Sequence, residues 1–277
     1  LGQYANTDKT STDPCAVDAN DPNLAYKFGT MANETVIAQT FNKDLANEYG
    51  KICGNYSLWS NLTIFWGCGT NLHRSPYNAR NHEYYSEDAV LTSGQAVAFI
   101  SGGKEYGVII APKHLAFNDT EINRTGVSVF MTEQQARENE LRGTQAAIED
   151  AGALGVMTAF NRVGITATNA HTGLLKNILR GEWGFKGLES QDFIMNPNYA
   201  VLKEYALNGG TMTTFTGENT MAAVSEKFAY WTTENVGQDT ELMSAIKQAM
   251  TWQAYALANS NALDGMASST RLVSVRT

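Results

Sequence analysis

The stretch that decides the fold is Gly184-Phe185-Lys186-Gly187-Leu188-Glu189-Ser190-Gln191-Asp192-Phe193. It is typical of a turn followed by a short buried strand, and Asp192 is delivered at the carboxyl end of that strand. In a barrel of alternating strands and helices, chemistry takes place at that end of the strands. Asp192 is therefore a candidate catalytic nucleophile, although an Asp in this position, taken alone, is more typical of a helix cap.

Outward from this stretch, apolar runs of strand length alternate with segments of helical spacing. The predicted strands are 36–41, 62–66, 106–111, 153–160, the one that ends at Asp192, and a weaker one at 211–215. Helices are predicted after Asn42 and Ser86, from Thr132 in a capping box, around 174–179 and over 239–258. About six strands alternating with helices predict an α/β fold with a parallel sheet.

A complete (β/α)8 barrel needs eight strands, so the sequence predicts a TIM-type barrel that lacks its first strand in this chain. Residues 1–33 are polar and contain Pro14 and Pro22. They are predicted to form a long loop that follows the missing strand, and residues 34–277 to form the main body of the barrel. The absence of a starting Met favours a chain that begins in mid-protein.

Composition excludes several classes of function. A net charge of −8 argues against nucleic acid or an anionic membrane as a partner, and no apolar run approaches the length of about 20 residues that spans a bilayer. The spacing of Cys15, Cys53 and Cys68 matches no zinc or redox motif, and buried small hydrophobes are the favoured interpretation. No metal or other cofactor is predicted.

Cationic and aromatic residues collect at the carboxyl ends of the predicted strands. The candidates are Arg80, Lys113, His114, Met157, Phe160 and Phe193, all placed by the barrel at the rim that holds Asp192. Arg, Lys and imidazole groups hydrogen-bond to sugar hydroxyls, and aromatic faces pack on the apolar face of a sugar ring. The nearby cations would also keep a nucleophilic carboxylate ionised. The pattern therefore favours a carbohydrate site.

Each of these residues also has a structural interpretation. Arg74 and Arg80 could pair with acidic residues of their own loop, which are Glu83, Glu87 and Asp88. The histidines His73, His82 and His171 are more typical of structural residues than of ligands. Without the barrel argument, Met157 and Phe160 would be assigned to the core. The pair Lys113-His114 resists this interpretation best, because it places two adjacent polar side chains at a strand end.

Several motifs in the same order resemble glycoside hydrolase family 3, of the β-glucosidase and β-xylosidase type, over roughly residues 35 to 215. They are Asn71-x-His73-Arg74-x-Pro76, Arg80-Asn81-x-Glu83-Tyr84-Tyr85-Ser86-Glu87-Asp88, Lys113-His114-x-x-x-Asn118-Asp119, Met157-Thr158-x-x-Asn161 and Leu179-Arg180-Gly181-Glu182-Trp183-Gly184-Phe185-x-Gly187. The resemblance implies a retaining β-glycosidase without a cofactor, and Asp192 as its nucleophile. It also implies that Arg80, Lys113 and His114 bind hydroxyls of the terminal sugar, while Met157, Phe160 and Phe193 line the same subsite.

The chain departs from the family pattern at three positions near the nucleophile. Phe160 stands where Tyr is common, Phe193 where Trp is frequent, and Gln191 where Ser or Thr is usual. The stretch Leu115-Ala116-Phe117-Asn118 replaces the His-containing loop of the bacterial N-acetylglucosaminidase branch, which argues against that branch.

In the remaining branch the resemblance implies that a Glu of a separate α/β-sandwich domain is the acid/base. That domain is expected on the parent chain, N-terminal to the barrel, or on a second chain. A non-catalytic or degenerate carbohydrate-binding barrel stays open as the alternative. A phosphate-binding barrel enzyme is less favoured, because no Gly-rich loop follows the late strands.

Overall fold

The computed structural model describes residues 31–59, 62–193, 201–214 and 231–262. Its centre is a parallel four-stranded sheet in the order β1-β2-β4-β7. The strands of this sheet are β1 (Ile64–Gly69), β2 (Ile109–Leu115), β4 (Gly155–Thr158) and β7 (Leu188–Gln191). A bridge between Ser190 and Met212 adds one further parallel contact beyond β7, within the segment predicted as a weak strand.

Helices follow the strands in the alternating order that the sequence predicts. They are α1 (Glu34–Ala38), α2 (Lys43–Trp59), α3 (Ala89–Lys104), α4 (Glu133–Gln135), α5 (Arg142–Glu149), α6 (Leu202–Leu207), α7 (Thr233–Gln238) and α8 (Thr240–Ala258). A π-helical turn, Ala136–Glu140, joins α4 to α5, and a longer π-helical segment, Gly173–Glu182, precedes β7. The first residue after each strand of the central sheet therefore lies at one common edge.

A small second sheet lies on the connections around β4. It contains β3 (Ser128–Val129), β5 (Arg162–Val163) and β6 (Thr166–Ala167), in the order β3-β5-β6. β3 and β5 are parallel, whereas β5 and β6 form an antiparallel pair. Phe160 lies between the two sheets in sequence, two residues after β4 of the central sheet and two residues before β5 of the small one.

The core lies between the central sheet and the helices that pack on it. The helices α2 and α3 approach so closely that two positions accept no side chain: a Cβ at Gly50 would lie 2.0 Å from the Phe99 carbonyl oxygen, and one at Gly102 would lie 2.1 Å from that of Asn47. Glycine at these positions lets the helices pack backbone to backbone. Every residue of β2 is buried, so the side chains at its end enter the site from a rigid base.

One predicted strand is wrong. Residues 36–41 form the end of helix α1 and a turn, because the side chain of Asn33 accepts the N–H of Val36 and caps the helix. The turn ends at Phe41, whose φ of 52° is incompatible with a strand. The burial is that of a helix with one face on the core: Ile37 and Ala38 are buried, whereas Val36 is 47% exposed.

Other boundaries differ in detail from the predictions. β2 begins at Ile109 and continues through Pro112, Lys113 and His114. Helix α3 is capped by Asp88, whose side chain accepts the N–H of Leu91, whereas Ser86 accepts the N–H of Asp88. The predicted caps at Asn42 and Thr132 are confirmed, since both side chains accept backbone N–H groups of the following turn. Residues 1–30 of the predicted N-terminal loop lie outside the described residues.

Candidate active site

The ends of β2 and β4 bring three of the predicted site residues together. Lys113 and His114 precede Leu115, the last residue of β2, and Lys113 pairs in register with Met157 of β4. All three side chains are buried, and the peptide bond between Lys113 and His114 is cis. Asn71, in the loop after β1, holds the main chain here: its side chain accepts the N–H of His114 and donates to the carbonyl of the same residue.

The loop after β1 delivers Arg80 to the same edge. Arg80 precedes a short 3₁₀ turn, Asn81–Glu83, and donates to both carboxyl oxygens of Glu83, at 3.1 and 2.6 Å. The Nζ of Lys113 lies 3.5 Å from the same carboxylate. Burial acts to raise the pKa of Glu83, but the hydrogen bond from Arg80 and the two positive charges outweigh it, so the pKa is lowered. Glu83 is therefore an ionised anchor that orients both cations.

Asp192 directly follows β7 and reaches this group of side chains. Its Oδ1 accepts the N–H of Phe193 at 2.8 Å, and its Oδ2 lies 3.4 Å from the Nε2 of His114. Burial raises the pKa of Asp192, and this effect is opposed by the Phe193 N–H and by the charges of Arg80, Arg124 and Lys113. A carboxylate that is held through one oxygen and surrounded by cations is suited to nucleophilic attack.

The cap interpretation of Asp192 stays a prediction, because the residues that such a cap would hold, 194–200, lie outside the described ones. Within the described residues, the carboxylate accepts the N–H of Phe193.

His114 lies at the centre of the group. Its Nδ1 is 3.1 Å from the hydroxyl of Tyr84, and its Nε2 is 3.4 Å from the Nη2 of Arg80 as well as from Asp192. Burial, followed by the charges of Arg80, Lys113 and Arg124, lowers the pKa of His114 well below its usual value. The imidazole is therefore neutral and acts as a hydrogen-bonding group rather than as a cation.

The aromatic candidates follow the carboxyl ends of β4 and β7. Phe193 is 40% exposed and follows Asp192 directly, whereas Phe160 follows β4 and is half-buried. The guanidinium carbon of Arg124 lies 4.4 Å from the centre of the Phe160 ring, which is a cation–π contact. This contact gives Phe160 a role that the core interpretation does not supply.

The sequence left open that Arg74 and Arg80 pair with acidic residues of their own loop, and the structure shows such a pair for Arg80 only. Arg80 does pair with Glu83 of its own loop, yet the same guanidinium borders His114. Arg74 pairs with Asp119, with 2.6 Å between Nη2 and Oδ2, rather than with an acid of its own loop.

The other histidines have structural contacts. The Nε2 of His73 lies 2.8 Å from the carbonyl of Asn81, and the Nδ1 of His171 accepts the N–H of Leu174. Nε2 of His82 lies 3.9 Å from Glu83, at the outer edge of ion-pair distance, and its side chain is about half exposed.

Two residues of the site, Glu121 and Arg124, were not singled out from the sequence. Glu121 accepts from Arg80 at 3.4 Å and from Arg124 at 2.9 Å, so it ties the loop after β2 to the loop after β1. The spacing of Glu121 and Arg124 could have indicated an ion pair near the site, because an acid and a base three residues apart follow Lys113-His114 closely in sequence. Tyr84 and Asn118 lie within the quoted motifs, but their contacts with His114 could not be read from spacing.

Across the described ranges, no group of three or more His, Cys, Asp or Glu side chains is placed to hold a metal ion. Within the same ranges no helix is long and apolar enough to cross a membrane. Cys53 and Cys68 are buried free thiols, as predicted, and Cys15 lies outside the described residues.

Comparisons with known proteins identify a family and a fold that the chain resembles. The family model described as the glycosyl hydrolase family 3 N-terminal domain matches residues 23–222. The chain is 36% identical over 175 residues to a β-glucosidase of Ruminococcus albus, a match that covers 63% of this chain and 18% of that protein. It is 35% identical over 159 residues to a probable β-glucosidase J of Emericella nidulans, covering 57% of this chain and 19% of that one.

A solved structure gives the same result at the level of the fold. The β-glucosidase 3B of Thermotoga neapolitana in complex with glucose is similar with a TM-score of 0.80 and 27% identity, over 91% of this chain and 34% of that one. The family match and this likeness confirm the predicted TIM-type barrel. The chain spans well under half the length of each of these three relatives.

Proposed function

The chain belongs to glycosyl hydrolase family 3, and we propose that it carries the nucleophile and the sugar-binding residues of a retaining β-glycosidase that releases terminal β-D-glucose or a related sugar. The observation that carries the proposal is the position of Asp192. Its carboxylate lies at the carboxyl end of a barrel strand, 3.4 Å from His114, with one oxygen held by a backbone N–H.

The neighbouring side chains suit recognition of one sugar ring. Arg80, Lys113 and His114 present N–H donors that hydroxyl oxygens can accept, and the Glu83 carboxylate keeps the two cations in place. Phe193 and Phe160 offer apolar faces, and Met157 adds a polarisable wall. Such a mixture fixes orientation through its polar groups and supplies contact area through its apolar ones.

The proposed reaction has two displacements. In the first, Asp192 attacks the anomeric carbon, the glycosidic C–O bond breaks, and the leaving oxygen takes a proton from an acid. In the second, that group deprotonates water, which attacks the anomeric carbon and frees Asp192. The acid/base is a Glu of an α/β-sandwich domain, on the parent chain or on another chain, at about 5–5.5 Å from Asp192.

The ionisation of Asp192 sets the acid side of the pH profile. The nucleophile must be a carboxylate, and burial raises its pKa against the opposing effect of the N–H and the cations. Activity therefore falls as the pH drops through the pKa of Asp192, at a pH above the usual range for an Asp.

The test is covalent trapping in the intact protein with a 2-fluoro glycoside that carries a dinitrophenyl leaving group. An activated leaving group departs without protonation, so labelling reports on the nucleophile even where the acid/base is weak or absent. The expected result is one added sugar on the peptide that contains Asp192, found by mass spectrometry, and no label after Asp192→Asn.

A label on another carboxylate would overturn the assignment of Asp192. Binding of glucose without any label would favour the alternative, a non-catalytic carbohydrate-binding barrel. The variant Glu189→Gln is the matched control, because it removes a neighbouring buried carboxylate of the same strand.

A further inference from the structure

The hydrogen bonds around His114 make two incompatible demands on one neutral imidazole. The guanidinium of Arg80 always donates, so its contact with Nε2 at 3.4 Å requires an acceptor there. The carboxylate of Asp192, at the same distance from the same nitrogen, requires a donor. Since a neutral imidazole carries one hydrogen, the partner of its other nitrogen, Nδ1, decides which demand is met.

A chain of three side chains leads to Nδ1 and begins at a carboxylate. Glu121 pairs with Arg124 and Arg80 and therefore only accepts. Asn118 faces it at 3.0 Å through Nδ2. Turning the amide of Asn118 over would bring its oxygen against the Glu121 carboxylate, so the carboxylate fixes the orientation in which Nδ2 donates.

The same amide group fixes the direction of the next hydrogen bond. The second hydrogen of Asn118 Nδ2 goes to the Tyr84 hydroxyl, at 2.8 Å. Among the described residues, the hydroxyl has one other partner, the Nδ1 of His114 at 3.1 Å. Because the oxygen already accepts from Asn118, its own hydrogen is satisfied in this buried place by donation to Nδ1.

Energetics favour this arrangement over the one that Arg80 requires. If Nδ1 carried the hydrogen, the Tyr84 hydroxyl would accept twice and leave its O–H buried without a partner among the described residues, which is unfavourable. Arg80 loses less, because its Nη2 keeps the 2.6 Å bond to Glu83 and its contact with Nε2 is at the long limit of a hydrogen bond.

We propose that Tyr84, Asn118 and Glu121 are positioning residues that hold His114 as the tautomer with its hydrogen on Nε2. In this state the imidazole donates toward Asp192 or a sugar hydroxyl, and one N–H of Arg80 is released for the substrate. The tautomer stands on the hydrogen-bond chain alone, whereas its effect on catalysis rests on the proposed function.

The direct test is nitrogen-15 NMR on the intact protein labelled at histidine, with the signals of His114 assigned by their loss in His114→Asn. The expected spectrum shows a protonated Nε2 and an unprotonated Nδ1 at neutral pH. The opposite pattern, with the hydrogen on Nδ1, would overturn the proposal. This measurement needs no substitution of Tyr84, Asn118 or Glu121.

The variant Tyr84→Phe tests which group holds the tautomer. Its expected result is that the two nitrogen shifts of His114 move toward each other, because the two tautomers then become mixed. Unchanged shifts would show that groups other than Tyr84 fix the hydrogen. The matched control is Tyr85→Phe, which removes a neighbouring buried hydroxyl from the opposite side of the chain and should leave the shifts as they are.

Kinetics give the second readout. With an aryl β-glucoside, Tyr84→Phe should lower kcat/KM by about 10- to 100-fold, the size of effect known for residues that orient a functional histidine. Tyr85→Phe should stay within about twofold. Trapping at Asp192 combined with the wrong tautomer would reject the relay alone, whereas the predicted tautomer without trapping would reject the proposed function alone.

Discussion

Two carboxylates of the strand-to-loop segment around β7 are both largely shielded from solvent, but they differ in their position and in the groups that surround them. Glu189 lies in the body of the strand with no accessible surface, and Asp192 lies just past its end. Among the described residues, no N–H or O–H donates to the carboxyl oxygens of Glu189 in hydrogen-bond geometry. Asp192 has the N–H of Phe193 on one oxygen and His114 beside the other.

Burial raises the pKa of both groups, so a raised pKa does not by itself identify the functional one. For Glu189 burial raises the pKa to about 7, opposed in part by the nearby Tyr205 and the charge of Arg180. For Asp192 the opposing groups include three cations, of which two, Arg80 and Lys113, also belong to the proposed sugar site. What separates the two carboxylates is therefore the set of groups that can reach a substrate.

The largest expected effect is on turnover. Asp192→Asn keeps the size and shape of the side chain but removes the nucleophile, so hydrolysis of an aryl β-glucoside should fall by about 1,000-fold or more. Glu189→Gln makes the same chemical change on the strand body and should retain activity within about tenfold. The measurement is kcat/KM for both variants of the intact protein, with circular dichroism to verify folding.

A larger loss of kcat/KM in Glu189→Gln than in Asp192→Asn would contradict the assigned roles of the two carboxylates. If Asp192→Asn kept its activity within tenfold of the parent, Asp192 would not be the nucleophile. A comparable loss in Glu189→Gln would place the strand body in the catalytic machinery.

The second effect is on stability and its pH dependence. The folded state binds a proton at Glu189 more tightly than the unfolded state, so this group makes the free energy of unfolding fall as the pH rises from about 4.5 to about 7. Because the pKa is raised from 4.5 to about 7, the ionised Glu189 lowers the free energy of unfolding by roughly 3 kcal/mol at pH values above that window. Glu189→Gln should therefore be more stable than the parent by this order at pH 9 and nearly equal at pH 4.

Urea unfolding at several pH values measures this difference. The exposed Glu149, changed to Gln, is the control and should alter stability by less than about 0.5 kcal/mol at every pH. A stability difference for Glu189→Gln that does not grow with pH would show that the carboxyl is not the source of the pH dependence.

Part of the site could be predicted from the sequence alone. Asp192, Lys113 and His114 could be placed at one edge because strand ends in a parallel barrel converge, and that rule needs only the order of elements. The strand predicted at 36–41 was wrong because a short apolar run suits a strand and a short helix equally, and the cap at Asn33 decides for the helix. Local pattern does not reveal which competing hydrogen bond forms.

The groups around Asp192 could be predicted only in part, for a related reason. Glu121 contacts Arg80 across 41 positions of the chain, and Tyr84 contacts His114 across 30. Such pairs follow from how two loops fold over the sheet, so neither spacing nor residue type encodes them. The same applies to Glu189, whose place in the strand gave no sign that its carboxylate would find no hydrogen-bond donor in the part of the chain that the structure describes.

The smallest expected effect comes from substitutions of Arg124, which distinguish the influence of charge on the pKa of Asp192 from that of burial. Arg124 pairs with Glu121 and lowers the pKa of Asp192 from outside the sugar subsite. Arg124→Met removes this charge and leaves Glu121 less compensated, and both changes raise the pKa of Asp192. The acid limb of the kcat/KM profile should therefore move to higher pH, by about half a pH unit.

Arg124→Lys is the matched variant, because it keeps the positive charge but loses the planar guanidinium that packs on Phe160. Its acid limb should stay at the parent's pH, even if KM changes through the altered contact with Phe160. A shift shared by both variants would assign the effect to packing on Phe160, and no shift in Arg124→Met would assign the ionisation of Asp192 to its nearer neighbours. A shift in Arg124→Met alone would show that charge from the surrounding loops, and not burial alone, makes Asp192 differ from Glu189.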